Sequence, residues 1–342
     1  MKRLAKPAGR YNLVLEEVPI PEPGPTEVRV KAVRSLISRG SEIGRRYTRD
    51  EAIDPQMMGY SMSGIVDAVG KSVTHIAVGD RVVISAPHAD YVVRDATVSS
   101  PENRPLVYPI DPRVDFDAAP YWSLVSGCVT WAVGEEASPT DTIVIVGQGL
   151  VGSLLLQVHK ANGIRRVVAI DALDLRCELA DELGADVVIN AAREDPVEAV
   201  HKLTNGLGAE IVVYAVGGPA GPKAFDQSLD MLARGGLLHL VGRYEDAPLP
   251  FWSHKFAGKR MFEGYFIRSK GIAESKRGMD LLATGAINTD LMTTHRFAFS
   301  DAPAAFDLLY RRSGETLGVL LDWTHEDTSP GPNAAPQGRE TT

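Results

Sequence analysis

Six consecutive residues carry the first chemical signal. Gly147-Gln148-Gly149-Leu150-Val151-Gly152 has the spacing G-x-G-x-x-G. Alone the spacing is weak, but here it follows the continuous apolar run "DTIVIVG" and opens the apolar-striped segment "LVGSLLLQVHKANG". That strand–turn–helix setting is the one in which such glycines hold a dinucleotide. Gly147 permits the tight turn, Gly149 admits a pyrophosphate close to the backbone, and Gly152 lets helix and strand pack closely. The start of the helix adds unpaired N–H groups and a positive dipole end. About 20 residues on, "RRVVAID" ends in Asp171. A carboxylate there accepts hydrogen bonds from ribose hydroxyls and repels the extra phosphate of NADP. Ala172 and Leu173 follow it, not an arginine. The pattern predicts a nicotinamide dinucleotide, NAD(H) in preference to NADP(H), with Leu150, Val151 and Arg176 as further candidate contacts. "YAVGG" and "LVGR" (Leu240 to Arg243) read as strand ends, and ligands sit beyond the carboxyl ends of such strands. Val216 and Val241 are therefore candidates for the nicotinamide end, and Thr130 in "GCVTWAV" is another.

Proton-handling candidates are fewer. His88 precedes "ADYVV", and histidine titrates near neutral pH, so His88 is a catalytic candidate if it enters the cleft. Ser41 in "LISRGSEIG" offers a hydroxyl that both donates and accepts, or one that simply bonds its own backbone in a turn. Arg39, beside it, pairs with Glu42 or binds a substrate anion; the salt bridge is the preferred reading. His159 reads as packed or exposed on its helix, and Tyr121 and Trp122 as cleft lining or interdomain core.

These residues need a scaffold, and 342 residues suggest about two domains. Residues 1–112 are β-rich: "EVRVKAV", "MSGIVDAVG", "DRVVISA" and "ADYVVRD" are short β-branched runs separated by Pro, Gly and Asp, the pattern of a small barrel-like domain. Residues 113–268 alternate strands with helices and predict a doubly wound parallel sheet. Residues 269–324 ("ESKRGMDLLATGAI", "DAPAAFDLLYRR", "LGVLLDW") are expected to pack back onto the first domain. Residues 325–342, rich in Pro, Gly, Ser and Thr, read as a disordered tail. A net charge of −8 disfavours nucleic acid as a partner. No run approaches the ~20 apolar residues of a membrane span. Two cysteines, Cys128 and Cys177, make neither a disulfide framework nor a four-cysteine zinc site, which fits a cytoplasmic protein.

The order of these parts resembles the medium-chain dehydrogenase/reductase superfamily, the group of zinc alcohol dehydrogenases and quinone reductases. "EVRVKAVRSLISRGSE", "MMGYSMSGIVDAVGKSV", "VGDRVV", "IVIVGQGLVGSLLLQVHKANG" and "ARGGLLHLVG" carry the resemblance. It implies an α/β protein with a GroES-like β-barrel catalytic domain, a Rossmann domain, and an active site between them. The zinc motifs do not carry over. Where zinc members read Cys-Gly-Thr-Asp, this chain has Arg39-Gly40-Ser41-Glu42; where they read Gly-His-Glu, it has Gly59-Tyr60-Ser61. Residues 83–112 contain none of the four cysteines of a structural zinc lobe. The expectation is no catalytic and no structural zinc. Ser41 matches the hydroxyl that relays the substrate proton. Tyr60 stands at a former ligand position, as a proton donor or base or as a space-filling ring. The resemblance also implies a homodimer, with the segment Lys259 to Ile267 as a pairing edge. The preferred function is a zinc-independent, NAD(H)-dependent oxidoreductase of a secondary alcohol or its ketone in the interdomain cleft; the alternatives are an NAD(P)H-dependent quinone or enoyl reductase and a non-catalytic NAD(H)-binding protein.

Overall fold

The computed structural model describes residues 1–97, 104–242, 248–264 and 271–324. Strands β1 (Lys2–Ala5) and β2 (Val14–Glu17) form an antiparallel ribbon. Five strands follow: β3 (Glu27–Leu36), β4 (Met62–Val69), β5 (Arg81–Ile84), β6 (Tyr91–Asp95) and β7 (Val107–Pro109). β3 pairs β4, β4 pairs β5 and β5 pairs β7, all antiparallel, while β6 pairs β3. Successive side chains of a strand point to opposite faces. Val28, Val30 and Ala32 of β3 therefore all enter one core, with Val66, Val82 and Val92.

The chain then enters helix α1 (Trp122–Glu135) and a second sheet. Its elements are β8 (Thr142–Val146), α2 (Leu150–Ala161), β9 (Arg166–Asp171), α3 (Asp174–Glu182), β10 (Val187–Asn190), α4 (Pro196–Leu203), β11 (Ala209–Tyr214), α5 (Gly221–Met231), β12 (Leu232–Leu240), α6 (Ser253–Phe256) and β13 (Arg260–Glu263). All pairings are parallel, in the order β10-β9-β8-β11-β12-β13. This is the doubly wound order, and it places the carboxyl ends of β8, β9 and β11 around one crevice. Every residue of β8 is buried because both faces are covered. Ile143 and Ile145 pack into the core shared with α1 and α2, and Val144 and Val146 into the core shared with α4 and α5.

The last segment divides differently from expectation. Helix α7 (Ile272–Ala283) packs on α1, and its Met279, Leu281 and Leu282 join the core under the parallel sheet. Gly278 makes the close approach possible: a Cβ there would lie 2.6 Å from Ser126 Oγ. After α8 (Thr289–Met292), strand β14 (Thr293–Ala298) returns to the first sheet, α9 (Ala302–Arg311) packs on it through Phe306 and Leu309, and β15 (Gly318–Asp322) pairs β3. β13 forms one edge of the parallel sheet. Residues 265–267 of the expected pairing segment, Arg243 of "LVGR", and the expected tail at 325–342 lie outside the described residues.

One polar cluster is sealed between α1, α2 and β12. Glu135 Oε1 lies 2.5 Å from His239 Nδ1, and Glu135 Oε2 lies 3.0 Å from His159 Nε2. All three side chains are buried, and Phe262 of β13 stacks on the His239 ring at 4.5 Å. His159 thus faces a buried carboxylate in the core and is not merely a packed helix residue.

Candidate active site

The glycine turn has the geometry its sequence demands. Gly147 sits at φ +96°, in the region that favours glycine, and a Cβ on it would lie 2.9 Å from the Ala215 carbonyl oxygen. A Cβ on Gly152 would lie 1.8 Å from the Gly147 carbonyl oxygen, so only glycine lets α2 close on the turn. Gly149 faces open space, and as the residue before α2 it offers no side-chain cap to the first N–H groups. Those donors are left for a ligand. Asp171, at the end of β9, is tied to the same turn: Oδ2 accepts from the Gln148 N–H at 2.7 Å, and Oδ1 from the Ala172 and Leu173 N–H groups at 2.8 and 3.0 Å. Arg176 Nη1 stands 3.7 Å from Oδ2, and its Nη2 donates to the Ser313 carbonyl. A cavity of about 530 Å³ is lined by Gly147, Gly149 to Gly152, Asp171, Arg176 and Val216.

The barrel side contributes Ser38, Arg39 and Gly40 to that cavity. Arg39–Tyr47 winds as a short π-type helix whose start is capped by Ser38 Oγ, which accepts from the Ser41 N–H. Glu42 turns inward from this segment. It is fully buried and accepts from the Ser38 N–H and from His88 Nε2, each at 2.7 Å. Arg39 instead donates through Nε to the Leu309 carbonyl of α9. His88 corrects the expectation of a cleft histidine: its side chain is fully buried under the loops. Trp323 Nε1–H can only donate, and it donates to Ser35 Oγ; that hydroxyl meets His88 Nδ1 at 2.8 Å. The imidazole thus bridges Ser35 Oγ at Nδ1 and the Glu42 carboxylate at Nε2. Gly59, at φ +113°, presses its backbone on the same ring, since a Cβ there would lie 2.9 Å from the His88 ring. His88 is a platform beneath the segments bearing Ser41 and Tyr60.

A family model described as an alcohol dehydrogenase GroES-like domain matches residues 24–99, and one described as a zinc-binding dehydrogenase matches residues 151–284. L-threonine 3-dehydrogenase of Bacillus subtilis (strain 168) is 27% identical over 355 residues, covering 94% of this chain and 98% of that protein. Sorbitol dehydrogenase of Homo sapiens is 28% identical, covering 94% and 96%. The solved structure of alcohol dehydrogenase TADH from Thermus sp. ATN1 superposes with a TM-score of 0.78 at 22% identity, covering 94% and 99%. The chain belongs to the medium-chain dehydrogenase/reductase superfamily. As a medium-chain dehydrogenase/reductase it is an alcohol-dehydrogenase-like oxidoreductase that uses a nicotinamide cofactor.

The superfamily fold does not gather every expected residue. Thr130 turns its hydroxyl back to the Ser126 carbonyl within α1, and neither it nor Val241 lines the cavity; Leu124, one face round the same helix, does. Tyr121 and Trp122 are interdomain core, bonded to Thr293 Oγ1 and to the Ser275 carbonyl. Ser41 and Tyr60 stand on the two segments above His88, but neither lines the large cavity. Sequence reasoning did not find Leu317 and Ser313, which reach the cavity from the far end of the chain. Nor did it find that Arg176 reaches Asp171 from the first turn of α3.

Among the described residues no three His, Cys, Asp or Glu side chains come together as ligands. Burial pushes the Cys128 thiol well above its ordinary range, which disfavours the thiolate a metal needs.

Proposed function

We propose that this chain is a zinc-independent oxidoreductase that transfers hydride between NAD(H) and a secondary alcohol or its ketone. Asp171 carries this reading, because it is fastened to the glycine turn and lines the same cavity. The bound dinucleotide supplies or takes the hydride. The chain's own residues do the rest: the N–H groups at the start of α2 hold the phosphates, and Asp171 accepts from the adenosine ribose hydroxyls. Relatives named as dehydrogenases of L-threonine and sorbitol support an alcohol substrate. The donor chemistry supports the zinc-free part. Zinc takes three or four N, S or O ligands at fixed geometry. Here the loop offers a guanidinium at Arg39, a phenol at Tyr60 and a hydroxyl at Ser61, while Glu42 and His88 are engaged with each other. The substrate proton then falls to Ser41 or Tyr60. A homodimer joined along the β13 edge and a cytoplasmic location complete the proposal.

Asp171→Ala is expected to weaken NAD+ binding by about tenfold or more and to shift preference towards NADP+. The shift follows because Arg176 loses its carboxylate and is left to meet a 2′-phosphate. Unchanged preference in steady-state kinetics with both cofactors would remove Asp171 from the site. Of Ser41→Ala and Tyr60→Phe, the one that deletes the proton donor is expected to lower kcat by about a hundredfold with NAD+ affinity kept. A panel of alcohols, ketones, enones and quinones separates the readings. Turnover confined to quinones or enones would favour a reductase, and cofactor binding without turnover a non-catalytic role. About one tightly held zinc per chain by elemental analysis would refute zinc independence.

A further inference from the structure

A second cavity, of about 430 Å³, opens on the barrel side and shares no lining residue with the cofactor cavity. Its size falls within the ~300–1,000 Å³ of small-molecule sites. Val18, Pro19, Pro21, Pro55, Pro87 and Val92 form much of its wall. Four of these are prolines, which give a stiff apolar surface without N–H donors. Among the described residues the wall includes Arg3 and Arg94 but no acidic residue, in a chain whose net charge is −8.

The two arginines differ. Arg3 is already held by Glu16, through Nε at 3.0 Å and Nη2 at 2.9 Å. Among the described residues Arg94 makes two hydrogen bonds, both to neutral carbonyls: Nε to Ser85 and Nη1 to Val93, each at 2.9 Å. Among the described residues no carboxylate lies within ion-pair distance of it, whereas Arg29, Arg34, Arg113 and Arg296 each have one. Burial pulls the Arg94 guanidinium below its ordinary range, offset only in part by the charge of Glu27. A half-buried cation without a counter-ion is costly, and a ligand anion removes that cost. A guanidinium fork matches the two oxygens of a carboxylate.

We propose that this cavity is a second ligand site, which binds a small organic acid with its apolar body against the prolines and its carboxylate on Arg94. The site adjoins the platform described above, since Pro87 and Ala89 flank His88 and both line it. The proposal does not rest on the catalytic reading.

The test is calorimetric titration of the full chain, saturated with NADH, using octanoate as probe and octanamide as its neutral counterpart. Octanoate is expected to bind at least about tenfold more tightly than octanamide. Arg94→Gln is expected to weaken octanoate by at least about tenfold while leaving the NADH dissociation constant unchanged. Val18→Phe, which fills the cavity and leaves Arg94 in place, should abolish octanoate binding. It keeps the proposal testable if the arginine variant does not fold. Failure of octanoate to bind at millimolar concentration would overturn the proposal. So would equal affinity for the amide, or binding that survives either substitution.

Discussion

Replacing Glu135 by alanine is expected to destabilise the parallel-sheet domain by about 3–5 kcal/mol, the cost of breaking a buried ion pair from one side. The substitution strands two buried imidazoles, His159 and His239, with no carboxylate between them. Urea denaturation of parent and variant at pH 7 checks the number, and a loss below about 1 kcal/mol would show that the cluster relaxes or is hydrated. Glu135→Gln should cost less, because an amide still offers one acceptor and one donor. The pH dependence has a definite sign. Burial would push the Glu135 carboxyl up, but the charge and hydrogen bonds of His159 and then His239 outweigh burial and hold it at about 2, below its ordinary 4.5. A carboxyl depressed on folding stabilises fully above its unfolded value and loses that contribution as pH falls towards the folded one. The gap between parent and Glu135→Gln should therefore narrow as pH falls below about 5. A gap that widened on acidification would contradict the ion-pair account.

Gly152→Ala is expected to weaken NADH binding at least about a hundredfold, on the order of 3 kcal/mol. The added carbon would sit 1.8 Å from the Gly147 carbonyl oxygen, so α2 must retreat from the turn and carry its N–H groups away from the phosphates. Gly149→Ala provides the contrast. Its Cβ would meet nothing within 4 Å in the ligand-free protein, so the fold should keep its melting temperature. Gly149 nevertheless lines the cavity, so binding should still weaken. NADH fluorescence titration with melting curves reads both. Equal affinities for parent and Gly152→Ala would refute the cradle as described.

The parts of the site that lie within one short stretch of chain were legible before any fold was known. The glycine turn and its flanking strand and helix are specified by local rules, because tight turns, close approach and burial on both faces each restrict residue type. Asp171 was legible for a similar reason, since the βαβ unit sets its distance from the turn. The doubly wound sheet followed from alternation of apolar strands and striped helices.

Contacts between distant segments were not legible. His88 has the chemistry of a catalyst, yet Glu42, Ser35 and Gly59 meet it from three separate segments and hold it beneath the loops. His159 looked like an ordinary helix residue until α1 and β12 brought Glu135 and His239 to it. Helix α7 has an apolar stripe that suits either core, and the close approach at Gly278 decided for α1. The sequence by itself determined the glycine turn and the family of folds, because backbone conformation and hydrophobic period are written in neighbouring residues. Tertiary structure alone decided which titratable groups face the cavity and which are locked in the core, because burial and ion pairing depend on residues brought together from far apart in the chain.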